Sequence, residues 1–163
     1  MMYLATAIND RDDILIPAVI SLFTLGKAYH SELVFSDGNA IVVTPKTFNY
    51  VKHSYDWYEW SLVPLPMISA EDEAKIRKAT DDILATKPEY DYVGACLGQL
   101  GKVFNSKRRW YCSELCRHLI KDYVPNLGDE RKFISPSKLW KKVANSVTDY
   151  QPNYTPANTT YRE

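Results

Sequence analysis

Two strand-forming runs around a tight-turn signal constrain the fold of this chain more than any other feature. Residues 29–35 and 40–44 are rich in aromatic and branched apolar side chains, and an Asp-Gly pair at 37–38 lies between them. This arrangement predicts an antiparallel hairpin, because glycine takes the positive φ that a tight turn requires. Side chains alternate across a strand, so the first run places His30 and Glu32 on one face.

A second constraint is a cysteine at the predicted start of a helix. Leu115, Leu119 and Ile120 follow Cys112 at helical spacing, and the basic run Lys-Arg-Arg at 107–109 precedes it. Unpaired N–H groups in a first helical turn and the positive end of the helix dipole stabilise a thiolate, and nearby cations act in the same direction. Cys112 is therefore a candidate nucleophile, and such a nucleophile needs a base.

The base that the sequence offers is His30. If the Cys112 helix packs against the His30 strand, the thiol and the imidazole meet at about 3 to 4 Å, and the ion pair keeps the thiol ionised. A backbone N–H at or beside Cys112 is placed to donate to an oxyanion. Two residues are candidates to orient the imidazole, Glu32 on the same strand face and Thr44 across the hairpin. Glu32 is equally open to a structural role as the partner of a nearby Lys or Arg.

The rest of the chain predicts a single α+β domain at residues 1–147 and a mobile tail at 148–163. The tail carries prolines, asparagines and threonines without an apolar period. Within the domain, capping residues, helix breakers and apolar periodicity predict further elements. They are an opening strand at 3–8, a helix at 12–26, a strand at 60–65, a helix at 69–87, a helix capped by Asp91 that runs to about 103, and a last helix from Ser135 to about 147.

Composition limits the partners and the compartment. The 163 residues carry 20 basic and 20 acidic side chains, a balance that gives no overall field toward nucleic acid or an anionic membrane. Three cysteines, an odd number, are interpreted as reduced thiols in a reducing compartment. The N-terminal residues lack the pattern of a signal peptide, and the longest apolar stretch, 14–25, is too short to span a bilayer. We therefore expect a cytoplasmic protein, or one released by another route.

Several motifs allow more than one interpretation. A zinc site built from Cys112, Cys116 and a histidine is disfavoured because the usual ligand spacing is missing, and no metal or cofactor is predicted. Cys96 is interpreted as a core residue. The ring-rich segment at 50–60 fits either an acceptor groove or the packing of a strand. The basic run at 107–109 fits either the binding of an acidic substrate or a solvated loop.

An ordered series of motifs resembles the circularly permuted NlpC/P60 papain-like cysteine hydrolases, which include YiiX/YebB-like and poxvirus groups and many bacteriophage proteins. The series covers roughly residues 3–145, and its order is more specific than any one motif. In this family the histidine strand precedes the cysteine helix, the reverse of papain, and this chain has that reversed order. The motifs are His-Ser-Glu-Leu-Val-Phe from His30 with its Asp-Gly turn, Tyr-Asp-Tyr-Val-Gly from Tyr90, Arg-Trp-Tyr-Cys-Ser-Glu-Leu around Cys112, and Ser-Pro at 135–136.

The resemblance implies a permuted papain-like fold, in which a small barrel-like antiparallel sheet packs on helices, with Cys112 as nucleophile and His30 as base. One departure concerns the third residue. Members often carry a glutamate in a Glu-Ala context on the strand after the histidine, where this chain reads Val-Val-Thr-Pro at 42–45, so Glu32 becomes the candidate substitute. Family substrates include peptide or isopeptide amides of cell-wall stems and, in related groups, acyl esters or amides of lipids.

The expected function is that of a cysteine hydrolase that cleaves an amide or isopeptide bond through an acyl-enzyme on Cys112. Its expected partner is a peptide or acyl substrate, such as a peptidoglycan stem peptide. Two alternatives use the same fold. An acyltransferase or thioesterase acting on lipid acyl groups would place the same dyad in an apolar cleft, whereas a noncatalytic binding module would be favoured by a missing base.

Overall fold

A five-stranded antiparallel sheet and the helices packed on it give the chain an α+β fold. The computed structural model describes residues 1–8, 28–56, 59–97, 108–128 and 133–150, the side chains of 96 and 97 excepted. Five expectations lie outside these described residues: the helix at 12–26, the continuation of the Asp91 helix from 98 to about 103, the core position of Cys96, the basic residue Lys107 and the tail beyond residue 150.

Most of the predicted elements have a counterpart in the structure. The strands predicted at 3–8 and 60–65 are β1 and β5, and the helix predicted at 69–87 is α1. The last helix, α4, ends at Tyr150, beyond the predicted end at 147. The described elements, in chain order, are β1 Tyr3–Ala7, β2 His30–Val34, β3 Asn39–Val43, β4 Phe48–Lys52, β5 Trp60–Pro64, α1 Ala70–Ala85, β6 Glu89–Tyr90, α2 Tyr92–Leu97, β7 Arg109–Trp110, α3 Cys112–Ile120 and α4 Pro136–Tyr150.

The predicted hairpin is confirmed as β2 and β3. These strands pair antiparallel, with Leu33 opposite Ile41. Gly38 holds the turn at φ +84°, a conformation that residues with a side chain adopt only with strain. The strand order of the sheet is β4-β3-β2-β1-β5, so β2 is its middle strand. His30, the first residue of β2, therefore lies at one end of the middle strand of the sheet.

The sheet buries apolar side chains on both faces. Four strands contribute to the main core that packs on α3 and α4, through Leu4, Leu33, Ile41 and Val63. A smaller cluster covers the other face and consists of Ala5, Val34, Ala40 and Val42, with Tyr55 and Trp60 among the partly buried rings against it. Each fully buried Val, Leu or Ile side chain contributes about 1.5 to 3 kcal/mol to the free energy of unfolding. This burial fixes α3 on the sheet beside β2.

Capping residues set where the helices begin. Ser69 caps α1, and Asp91 caps α2 by accepting from the Gly94 N–H at 2.8 Å, both as predicted. Helix α3 begins directly at Cys112, because Tyr111 before it has an extended backbone with φ −108° and ψ 164°. Within the described ranges, no helix combines the length and apolar character that crossing a bilayer requires.

Candidate active site

The first residue of α3 and the first residue of β2 meet at one end of the sheet. Packing of α3 on β2 places the Cys112 thiol in hydrogen-bonding contact with the His30 imidazole. The sulfur also accepts from the backbone N–H groups of Ser31 and Ser113, one from the strand and one from the helix. Cys112 is only 6% exposed, so these donors take the place of water around the thiol.

The surroundings of Cys112 favour its thiolate. Burial by itself raises the pKa of this thiol, but the charge and hydrogen bond of His30, together with the two backbone N–H groups, outweigh burial and lower the pKa. Burial by itself lowers the pKa of His30, but the charge and hydrogen bond of Cys112, followed by the contact with Glu32, outweigh it and raise the pKa. These opposite shifts are those of a thiolate and imidazolium pair.

Glu32 is the group that contacts the far side of the imidazole. Its side chain is 2% exposed, and its Oε1 lies 3.1 Å from His30 Nε2. The other oxygen, Oε2, accepts from the Tyr55 hydroxyl at 2.8 Å, and His53 Nε2 lies 3.6 Å from Oε1. In the described part of the chain, Glu32 thus has two imidazoles and a phenol as partners, rather than the Lys or Arg expected of a purely structural role.

Tyr55 and His53 belong to the site but are not identified by the sequence analysis. Their ring centroids are 5.5 Å apart, and Tyr55 meets Trp60 edge-on at 5.1 Å. Burial, followed by the charge of Glu32, raises the pKa of the Tyr55 phenol, which therefore stays protonated as a donor. The ring-rich segment at 50–60 was the available signal, and the packing of these rings around Glu32 favours the packing interpretation of that segment.

Thr44 uses its side chain in the turn after β3. Continuing the β2–β3 register would place Thr44 opposite His30. Its Oγ1, however, accepts from the backbone N–H groups of Lys46 at 3.2 Å and Thr47 at 2.9 Å. A threonine hydroxyl that accepts from nearby backbone N–H groups is typical of turns. These contacts favour Glu32 over Thr44 as the residue that orients His30.

Cys116 lies one turn beyond Cys112 on α3, in a different environment. It is buried, and burial, followed by the charges of Cys112 and Glu32, raises its pKa well above the ordinary value. The ring of His118 packs 4.8 Å from that of Trp110. Among the described residues, no group of three or more His, Cys, Asp and Glu side chains is arranged to hold a metal ion. The zinc interpretation therefore gains no support from this part of the chain.

The contacts around Cys112 provide the components of acyl-transfer chemistry. A thiol with a lowered pKa contacts an imidazole, and a buried carboxylate contacts the imidazole in turn. Nucleophile, base and orienting acid in this order can attack an acyl carbon and pass a proton to a leaving group. Comparisons with protein families, curated proteins and solved structures find no match to this chain.

Proposed function

We propose that this chain is a cysteine hydrolase of the amidase or peptidase type. Cys112 is the nucleophile, His30 the general acid and base, and Glu32 the residue that orients His30. The observation that carries the proposal is the hydrogen-bonded series from thiol to imidazole to buried carboxylate, with opposite pKa shifts in its first two members. The same series operates in hydrolases of unrelated folds.

The proposal includes the permuted papain-like fold. Two features support it: the His30 strand precedes the Cys112 helix in the chain, and the five-stranded sheet is antiparallel and packs on helices. The motif series around these residues supports membership of the permuted NlpC/P60 superfamily in the same way. A cytoplasmic location, with release by another route as the alternative, stays a prediction.

In the first half-reaction, the Cys112 thiolate attacks the carbonyl carbon of the scissile amide. The bond between Sγ and carbon forms, and the carbonyl π electrons move to oxygen, which accepts from a backbone N–H at the start of α3. Because His30 Nε2 contacts Glu32, the Nδ1–H of the imidazolium gives its proton to the leaving amine as the C–N bond breaks. The acyl group remains on Cys112 as a thioester.

In the second half-reaction, water attacks the thioester carbon. His30 Nδ1 accepts a proton from this water, the C–S bond breaks, and the products are a carboxylic acid and the restored thiolate and imidazolium pair. Glu32 balances the positive charge of the imidazolium and fixes its ring. The hydroxyl of Tyr55 satisfies the second oxygen of Glu32 and so holds the carboxylate in place.

We propose an amide or isopeptide substrate, of the kind found in cell-wall peptides, over a lipid acyl group. A groove between the β3–β4 turn and Arg109, which precedes Cys112 by three residues, carries the charged side chains of Lys46, Glu89 and Arg109 beside apolar ones, whereas a lipid acyl group favours a wholly apolar cleft. A noncatalytic binding module has less support, because the nucleophile and the base are both present and in contact.

Selective alkylation tests the dyad. Because the pKa of Cys112 is lowered and that of Cys116 is raised, iodoacetamide near pH 7 should label Cys112 at least about tenfold faster than Cys116. His30→Ala should slow the labelling of Cys112, because the thiolate loses its counter-ion. Cys112 and Cys116 share the tryptic peptide at 110–117, so its fragment ions in tandem mass spectrometry assign the label to one thiol or the other, and a separate peptide reports Cys96.

The denatured chain is the matched reference for this measurement, since its cysteines share one environment and should label at similar rates. Equal labelling of all three cysteines in the folded protein would refute the dyad. A panel of cell-wall peptides and acyl thioester probes, read as mass added to Cys112, then identifies the acyl group that the site accepts.

A further inference from the structure

An open groove of about 570 Å³ lies between two segments of the described chain. One wall is the turn from β3 to β4, at residues 44–48, and the other consists of residues 88–93 with Arg109 of β7. Neither Cys112 nor His30 lines this groove, so the groove is not itself the place of reaction. Its volume lies in the range of sites that bind small ligands.

Each wall of the groove contains a residue that lies close in the chain or in the strand register to a member of the dyad. Thr44 continues β3 toward the register position opposite His30. On the other side, Arg109 precedes Cys112 by three residues, a separation of about 10 Å in an extended chain. An extended substrate that spans this distance has about three residues between the group bound at Arg109 and the carbonyl held at the thiol.

The groove exposes apolar side chains that a folded chain normally buries. Tyr92 is 60% exposed and Val93 is 40% exposed, and both are among the few large apolar residues exposed in the described ranges. Tyr90 meets Tyr92 edge-on at 5.0 Å and supports the exposed ring from one side. Exposed apolar residues grouped in a concave surface are typical of binding sites.

The groove is lined by two cations and two carboxylates, and each carboxylate already has a partner within the protein. Lys46 supplies a cation on one wall and Arg109 on the other. Asp91 is buried and its carboxylate accepts from the Gly94 N–H, so it serves the cap of α2. Glu89 lies 3.5 Å from Arg109 Nε in an exposed pair, which a ligand oxyanion can replace at little cost. A guanidinium binds carboxylate or phosphate through two parallel hydrogen bonds.

We propose that this groove is an acyl-donor subsite that selects substrates with an anionic group, a carboxylate or a phosphate, about 10 Å from the scissile carbonyl. Arg109 binds the oxyanion, Lys46 adds positive charge from the opposite wall, and Tyr92 contacts the apolar part of the substrate. The link to catalysis rests on the proposed function, whereas the binding of an anion in the groove does not.

Direct binding tests the groove without using the reactivity of Cys112. Three probes are titrated into the full chain and followed by NMR: acetyl-dialanine with a free carboxylate, the same peptide as its terminal amide, and acetyl-phosphoserine amide. Arg109→Gln should weaken binding of the anionic probes about tenfold and leave the amide unchanged, because glutamine keeps a donor but loses the charge. Lys46→Gln should weaken binding of the anionic probes only about threefold, because solvent screens the charge of this exposed cation.

Two further variants serve as controls. Glu89→Gln should tighten anion binding about twofold, since it removes the competitor for Arg109. Lys78→Gln removes an exposed cation from α1 and should change nothing. Tighter binding of the carboxylate probe assigns a carboxylate-bearing substrate, and tighter binding of the phosphate probe assigns a phosphate-bearing one.

Equal affinity for acid and amide, or equal losses in Arg109→Gln and Lys78→Gln, would overturn the assignment of the groove. Anion binding without selective alkylation of Cys112 keeps the groove and removes the proposed hydrolase. Selective alkylation without anion binding keeps the proposed hydrolase and removes the anion subsite. The two experiments therefore distinguish a failure of the groove proposal from a failure of the proposed function.

Discussion

Cys112 and Cys116 are one turn apart on the same helix and both buried, yet the pKa of the first is lowered and that of the second is raised. Burial raises the pKa of both thiols. The sulfur of Cys112 lies at the first turn, where His30 and the backbone N–H groups of Ser31 and Ser113 reach it. At Cys116 a backbone N–H also acts to lower the pKa, but the charges of Cys112 and Glu32 add to burial and raise it. The two buried thiols therefore differ because the imidazole of His30 contacts only the first.

The two thiols also influence each other. The pKa of Cys116 is raised first by burial and then by the charge of Cys112, with Glu32 adding to the effect. Ionisation of the first thiol thus suppresses ionisation of the second. The helix therefore carries one thiol with a lowered pKa and one with a raised pKa, and the charge of the first contributes to the raised pKa of the second.

The largest expected difference between the two thiols is in activity. Cys112→Ala should lower kcat/KM on an accepted amide substrate about 10⁴-fold or more, because no acyl-enzyme can form. Cys116→Ala should change kcat/KM less than about twofold and lower the free energy of unfolding by about 1 kcal/mol, as truncation of a buried side chain does. Steady-state kinetics and urea unfolding of both variants measure these effects. Similar losses of activity in the two variants would contradict the distinction.

A smaller loss of activity should come from substitution of Glu32, the carboxylate that contacts His30. Glu32→Gln keeps the size of the side chain but cannot balance the imidazolium, so kcat/KM should fall about 10²-fold, and alkylation of Cys112 should slow with it. Thr44→Val is the matched control and should leave both rates nearly unchanged, because the Thr44 hydroxyl serves a turn. A loss confined to Thr44→Val would move the orienting role across the hairpin.

The smallest and most graded difference should appear with pH. The lowered pKa of Cys112 keeps its thiolate as the pH falls below the usual cysteine value of about 8.5, and the raised pKa of His30 keeps the imidazolium as the pH rises above about 6.5. Cys116, with its raised pKa, ionises only above the usual cysteine range. From about pH 7 to about pH 8 the thiolate fraction of Cys112 changes little, whereas that of Cys116 rises about tenfold, so the ratio of Cys112 to Cys116 alkylation should fall about tenfold. A constant ratio would place both thiols in one environment.

The elements that carry the site could largely be predicted from local signals. The Asp-Gly turn at 37–38 predicts β2 and β3, and Asp91 predicts the start of α2. Ser135 caps α4 by accepting from the Lys138 N–H at 3.2 Å, again as the sequence indicates. Each of these signals depends on contacts within a few residues, which a sequence pattern contains.

Features set by distant contacts could not be predicted in this way. The parallel pairing of β6 with β7 covers two residues in each strand, too few for a periodic pattern. Strand alternation predicts that Glu32 shares a face with His30, but it does not indicate that the Tyr55 hydroxyl reaches the same carboxylate. That contact depends on how the chain passes from β4 to β5, and the groove depends on how the β3–β4 turn lies against residues 88–93.

The position of the His30 strand before the Cys112 helix in the chain also determines the order in which the site residues are synthesised. A ribosome releases His30, Glu32 and Tyr55 before it releases Cys112, and β5 can already pair with β1 when α3 is still to be made. The thiol reaches its imidazole only when α3 packs on the completed sheet. Under the proposed function, an unfinished chain carries the acid and the base without a thiolate, so hydrolytic activity begins only with the finished domain.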